Sequence, residues 1–192
     1  MDRNDLRKGY KNLRENLSLA YQQSAAKQVC QRLQFFQPYI QAKHIALYHA
    51  FKSELSLQLL WEVALTQKKI CYFPFLRDDK TLGFAPANAN TVFAPNRYGI
   101  FEPQHTEENA VDPAVLDLMF LPLLAFDIHG TRIGFGQGFY DRTLAASRTP
   151  SRIGVAYPFQ RVFSLDASPW DIPLTHVVTP DGLIYCDRMG KC

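Results

Sequence analysis

Residues 126–142 read Phe126-Asp127-Ile128-His129-Gly130-Thr131-Arg132-Ile133-Gly134-Phe135-Gly136-Gln137-Gly138-Phe139-Tyr140-Asp141-Arg142, and four of the ten glycines of the chain fall within nine of these positions. Backbone without Cβ atoms can take positive φ and turn successive N–H groups toward one bound oxyanion. A helix starting after the last glycine adds the partial positive charge of its N-terminus. Arg132 and Arg142 bracket the loop, and guanidinium groups bind phosphate oxygens through paired, charge-assisted hydrogen bonds. The residue types therefore point to phosphate chemistry. The segment lacks the Gly-Lys-Ser/Thr ending of a P-loop, and its glycines alternate instead of following the dinucleotide-binding GxGxxG spacing. Asp141 is out of place beside an anion unless a cation lies between them. It is either a Mg²⁺ ligand or an acidic residue in the first turn of a helix.

The elements that must position this loop are legible from periodicity. Leu6, Tyr10, Leu13 and Leu17, then Ala25, Val29, Leu33 and Phe36, recur at helical spacing, which predicts two helices joined near residues 17–21 with Ser18 as a cap and Pro38 as a stop. His44 to Tyr48, helical spacing from Leu57 to Leu65, and Ile70 to Phe73 form a βαβ pattern. Residues 76–113 are rich in turn formers and predict short strands and an extended loop. Buried strands are expected at Leu118–Leu121 and Ile153–Ala156, with a short helix from about Phe139 to Ala146 between them, and at Val177–Val178 and Leu183–Tyr185. Short apolar runs separated by helices predict a three-layer α/β/α domain over residues 1–192, with a mostly parallel sheet and helices on both faces.

Composition narrows the function classes. The chain has 192 residues, 47% of them hydrophobic, and a formal charge of +3 from 21 basic and 18 acidic residues. That excess suits anionic small molecules and does not require nucleic acid. The basic cluster Arg3, Arg7, Lys8, Lys11 and Arg14 is interleaved with Asp2, Asp5 and Glu15, and no RNA- or DNA-binding motif accompanies it. Cys30, Cys71, Cys186 and Cys192 have neither zinc spacing nor the density of a disulfide framework. The polar start and the lack of an 18-residue apolar stretch leave an expectation of a cytoplasmic protein with no membrane partner. A sugar-phosphate isomerase or a coenzyme A transferase could also place a glycine loop at a sheet edge, and ATP dependence separates those activities from a nucleotide-using enzyme.

The segment from Phe126 to Arg142 resembles the FDxxGxRLGxGxGYYD signature of the 5-formyltetrahydrofolate cyclo-ligase family, also called methenyltetrahydrofolate synthetase. The resemblance extends to the N-terminal basic helix, a strand followed by Glu54, the element Ile100-Phe101-Glu102-Pro103, and Trp170-Asp171 before a late strand. It implies a Rossmann-like, coenzyme A transferase-like fold, ATP and Mg²⁺ as cofactors, 5-formyltetrahydrofolate as substrate, and a monomer. Phosphorylation of the formyl oxygen by ATP would be followed by attack of N10 and loss of phosphate. By the same resemblance, Arg132 and Tyr140 are catalytic, and Arg3, Arg7, Arg132, Gly134, Gly136, Gly138 and Tyr140 contact ATP. His49, Glu54, Tyr98, Phe135, Gly136, Gln137, Gly138 and Phe139 contact the folate, and Asp141 and Asp171 bind the metal. The chain departs from the family pattern in having Arg3 for Lys, and in its residues at Phe135, Gln137 and Phe139.

Overall fold

The chain opens with two helices, α1 (Arg3–Glu15) and α2 (Leu19–Leu33), in this computed structural model, which describes residues 2–104, 107–146 and 151–187. Ser18 joins the helices as expected, its hydroxyl accepting from the Tyr21 amide at 3.2 Å. Pro38 does not stop α2, which ends at Leu33. It sits in the first turn of a further short helix, α3 (Gln37–Gln41), where its missing N–H costs nothing.

Then follow β1 (His44–Ala46), α4 (Gln58–Thr66), β2 (Ile70–Leu76), β3 (Leu82–Ala87), the small pair β4 (Phe93–Pro95) and β5 (Phe101–Pro103), and β6 (Leu118–Pro122). The second half holds a hairpin of β7 (Ala125–Phe126) and β8 (Arg132–Ile133), helix α5 (Phe139–Ala145), and strands β9 (Ser151–Val155), β10 (His176–Thr179) and β11 (Gly182–Tyr185). Seven strands form one sheet in the order β11-β10-β9-β6-β1-β2-β3. The five inner strands run parallel, and β3 and β11 pair antiparallel at the two edges.

The inner strands read as continuous apolar runs because both faces are covered. Ile45, Leu118, Phe120 and Ile153 pack with Val29, Leu33, Leu60 and Ala64 of α2 and α4. Ala46, Met119, Leu121 and Val177 face the other way, onto Phe126, Leu144 of α5, and Leu174. The period of two along β6 alternates its side chains between these clusters. Among the described residues no helix is long and apolar enough to cross a membrane.

The glycine segment does not follow β6 directly, as the sequence suggested. The β7–β8 hairpin intervenes, and Asp127 builds its turn. The fully buried Asp127 carboxylate accepts from the amides of His129 and Thr131 at 3.0 Å each and from Leu165 at 3.0 Å. Gly130 completes the turn at φ +86°, where an added Cβ would stand 2.5 Å from the Leu174 carbonyl oxygen. Gly130→Ala is therefore expected to lose more than about 2 kcal/mol, combining left-handed strain with backbone overlap. This corresponds to a melting temperature lower by roughly 4 °C or more. Gly9→Ala in α1, where an added Cβ meets nothing within 4 Å, should instead raise stability by about 0.5–1 kcal/mol. Thermal unfolding of the two variants checks the contrast.

Candidate active site

The sheet changes winding direction between β1 and β6: β2 lies on one side of β1, whereas β6 and β9 lie on the other. Ligands of open α/β sheets bind at the carboxyl ends of strands at such a point. A cavity of about 920 Å³ lies there, bordered by Tyr48 after β1, Pro74 and Leu76 of β2, and Pro122 of β6. Every residue singled out from the sequence lines it: Arg3, Arg7, His49, Glu54, Tyr98, Arg132, Gly134, Phe135, Gly136, Gln137, Gly138, Phe139, Tyr140, Asp141 and Asp171.

One wall is cationic. Arg3 and Arg7 lie one turn apart on α1, and both reach across to distant segments. Arg3 pairs with Asp171 at 2.5 Å and donates to the Ser168 hydroxyl at 3.1 Å. The Nε of Arg7 donates to the Gly134 carbonyl at 3.1 Å. Gly136, at φ +93°, lets the loop pass close to that side chain, since an added Cβ would lie 3.2 Å from the Arg7 guanidinium. Arg132 is buried. It pairs with Asp141 at 2.7 Å and donates to the Ile172 carbonyl, while Asp141 also accepts from the Ile172 amide at 3.1 Å. Asp141 thus stands in the first turn of α5, but it bonds the arginine and the 172 segment. Arg142 shapes the loop, donating to the carbonyls of Lys80 and Gln137 at 2.8 and 2.6 Å.

The rest of the lining is largely aromatic, with the carboxylates Glu54 and Glu102. His49 packs against Phe93, Phe73 and Trp61 at ring-centroid distances of 4.3, 4.8 and 6.3 Å, and its Nε2 is buried without a hydrogen-bond partner among the described residues. Burial holds the imidazole pKa below its usual value, so the ring is neutral. Tyr98 meets Phe139 edge-on at 6.2 Å, and Phe51 meets Phe135 at 6.1 Å. Glu102, from the Ile100–Pro103 element, is committed to structure. It accepts from the Leu76 amide at 2.9 Å and from Asn96 at 2.7 Å, which ties β5 to β2. Glu54 is buried and accepts from the Phe51 amide at 2.9 Å. Burial pushes its pKa to about 7, against the opposing pull of Arg14 and of the Phe51 amide. The loop just before it is strained, with Lys52 and Ser53 at φ 42° and 36°.

A lining that combines arginines and a glycine loop with aromatic rings fits a nucleotide polyphosphate placed beside a heteroaromatic ligand. Comparison with known proteins decides which. The sequence profile of the 5-formyltetrahydrofolate cyclo-ligase family matches residues 1–180. The chain belongs to the 5-formyltetrahydrofolate cyclo-ligase family. It is 36% identical over 180 residues to the 5-formyltetrahydrofolate cyclo-ligase of Haemophilus influenzae, covering 92% of this chain and 96% of that one. It is 34% identical over 171 residues to the Escherichia coli K12 enzyme, covering 87% and 94%. The solved structure of Aquifex aeolicus 5,10-methenyltetrahydrofolate synthetase superposes with a TM-score of 0.86 at 30% identity, over 100% of this chain and 96% of that one.

Among the described residues, no group of three or more His, Cys, Asp and Glu side chains could hold a metal ion. Asp141 and Asp171, which the resemblance links to Mg²⁺, each pair with an arginine. One residue behind the site escaped the sequence reading. Arg14 is 1% exposed, lies 3.7 Å from Glu54, and places its guanidinium 5.3 Å from the centre of the Phe135 ring. The signal was present in the spacing of Arg3, Arg7, Tyr10 and Arg14, which puts three arginines on one helical face.

Proposed function

We propose that this chain uses ATP to close 5-formyltetrahydrofolate to 5,10-methenyltetrahydrofolate, releasing ADP and phosphate. The observation that carries this reading is the convergence of Arg3, Arg7, Arg132 and the glycine loop with Glu54 and His49 on the lining of one cavity. The formyl oxygen attacks the γ-phosphorus, a P–O bond forms and ADP leaves. N10 then attacks the activated formyl carbon, and the original formyl oxygen departs in phosphate as N10 gives up its proton. Phosphoryl transfer needs positioning and charge stabilisation more than covalent help. Arg132, held rigid by Asp141 and Ile172, supplies charge on the transferred group. Arg3 and Arg7 hold the outer phosphates, and the loop amides around Gly134, Gly136 and Gly138 cradle them. Burial raises the Tyr140 phenol pKa, so that it stays a neutral O–H donor over the loop. Glu54 accepts from the pterin amino and ring N–H groups. Tyr98, Phe135 and Phe139 form the apolar bed, with Gln137 at the loop tip.

Mg²⁺, when it accompanies the nucleotide, neutralises phosphate charge. Two carboxylates already paired with arginines suit contact with a metal that arrives on phosphates and keeps its waters, and they do not suit a metal held by protein alone. Asp141→Asn is expected to raise the Mg²⁺ concentration needed for half-maximal rate. An unchanged metal response would confine Asp141 to holding Arg132 and Ile172. We also infer a single domain acting as a cytoplasmic monomer on a small-molecule substrate. The free thiols Cys30, Cys71 and Cys186 support a reducing compartment. Equimolar release of ADP and methenyltetrahydrofolate tests the proposed stoichiometry, and product formation without ADP release would overturn it.

A further inference from the structure

Arg14 takes no place in the cavity wall, yet it is among the largest fully buried side chains of the protein. It comes from α1, the helix that also carries Arg3 and Arg7, and its face turns into the protein one helical turn beyond Tyr10. Its guanidinium touches two parts of the site from behind, with Nη1 3.7 Å from Glu54 Oε1 and the group lying 5.3 Å from the centre of the Phe135 ring, and Nη1 also donates to the Leu123 carbonyl at 3.3 Å. Nε and Nη2 are buried with no hydrogen-bond partner among the described residues. A buried guanidinium with unused donors is costly unless it is matched by charge. Glu54 is the acidic side chain recorded in an ion pair with it.

We propose that Arg14 is a positioning residue for the folate half of the site, acting through the Glu54 carboxylate that it pairs with behind the cavity. The proposal rests on the folate reading of Glu54 given above. The groups facing this pair are Tyr48, whose hydroxyl donates to the Leu55 carbonyl at 2.7 Å, Tyr140 on α5, and Tyr157 after β9. All three phenols are raised by burial and stay neutral, so the cation nearest Glu54 in this cluster is Arg14, with Arg132 beyond Tyr140. Arg14 opposes the burial that raises the Glu54 carboxyl, and with that opposition in place its pKa stands at about 7. Without that cation, Glu54 takes up its proton at a higher pH and ceases to be an acceptor in the neutral range. Because α1 also carries the phosphate-side arginines Arg3 and Arg7, the same helix then sets both halves of the cavity.

The test is the pH profile of kcat/KM for 5-formyltetrahydrofolate in wild type, Arg14→Met, Arg14→Lys and Glu54→Gln, and in the Arg14→Met/Glu54→Gln double variant. Expected for Arg14→Met are a folate KM raised tenfold or more, an ATP KM within about twofold of wild type, and an acid limb moved up by at least one pH unit. Arg14→Lys keeps the charge and should leave the limb in place. The double variant should be no worse toward folate than Glu54→Gln alone, because Arg14 acts through Glu54. An unmoved limb in Arg14→Met, or additive losses in the double variant, overturns the proposal. If Arg14→Met does not fold, an acid limb that survives in Glu54→Gln overturns it equally. A wild-type protein that forms no methenyltetrahydrofolate contradicts the folate reading instead, and not the part given to Arg14.

Discussion

Arg132→Ala should lower ATP-dependent turnover at saturating substrates by about 10²-fold or more, the usual loss on removing one preorganised charge partner of a transition state. Three features of the site make the loss large. Arg132 is 8% exposed, so its charge acts where water screens it little. Its guanidinium is fixed in advance by Asp141 and the Ile172 carbonyl and needs no reorganisation during reaction. Its removal also leaves the Asp141 carboxylate unneutralised beside the phosphates, turning an attractive surface into a repulsive one. Arg142→Ala is the comparison, because that side chain already gives donors to the Lys80 and Gln137 carbonyls. It should cost far less turnover. A near-normal rate in Arg132→Ala would remove Arg132 from the chemistry.

Glu54→Gln should raise the KM for 5-formyltetrahydrofolate about 10- to 100-fold while changing the KM for ATP little, in line with roughly 1.5–3 kcal/mol for hydrogen bonds to a charged group. Glutamine keeps the shape, but it replaces a carboxylate acceptor by an amide with a single acceptor oxygen and leaves Arg14 without its anion. The pH dependence carries the sign. Glu54 titrates near pH 7, so wild-type kcat/KM for the folate falls as pH drops through that value and the carboxylate takes up a proton. Glu54→Gln has no such group, and its profile should be flat across the same range. Steady-state kinetics from pH 5.5 to 8.5 reads both effects, and a wild-type profile indifferent to pH would place the recognition elsewhere.

The glycine loop was legible because its residue types leave few alternatives: closely spaced glycines followed by Tyr140-Asp141-Arg142 have an obvious chemical use. The inner strands were legible for a similar reason, since a strand covered on both faces must be apolar throughout. The orientation of α1 was not. Leu6, Tyr10, Leu13 and Leu17 suggest an apolar face, yet Leu13 is 54% exposed while Arg14 is buried. That helix borders the cavity through Arg3 and Arg7, and Arg14 continues the same face inward, so hydrophobic periodicity misplaces Leu13 and misses Arg14. The β7–β8 hairpin was hidden because each strand has two residues, and its stability comes from the Asp127 carboxylate and from Gly130 at the turn. The partners of Asp141 and Asp171 could not be read either. Asp171 meets Arg3 across almost the whole chain, and only tertiary structure reveals that both carboxylates face arginines.

The most direct measurement is the absorbance-monitored formation of 5,10-methenyltetrahydrofolate from 5-formyltetrahydrofolate by purified protein, with and without ATP and Mg²⁺. Product that forms only when ATP is present is the expected result. Absence of product from a folded protein that binds ATP would contradict the assignment of the cavity to a folate.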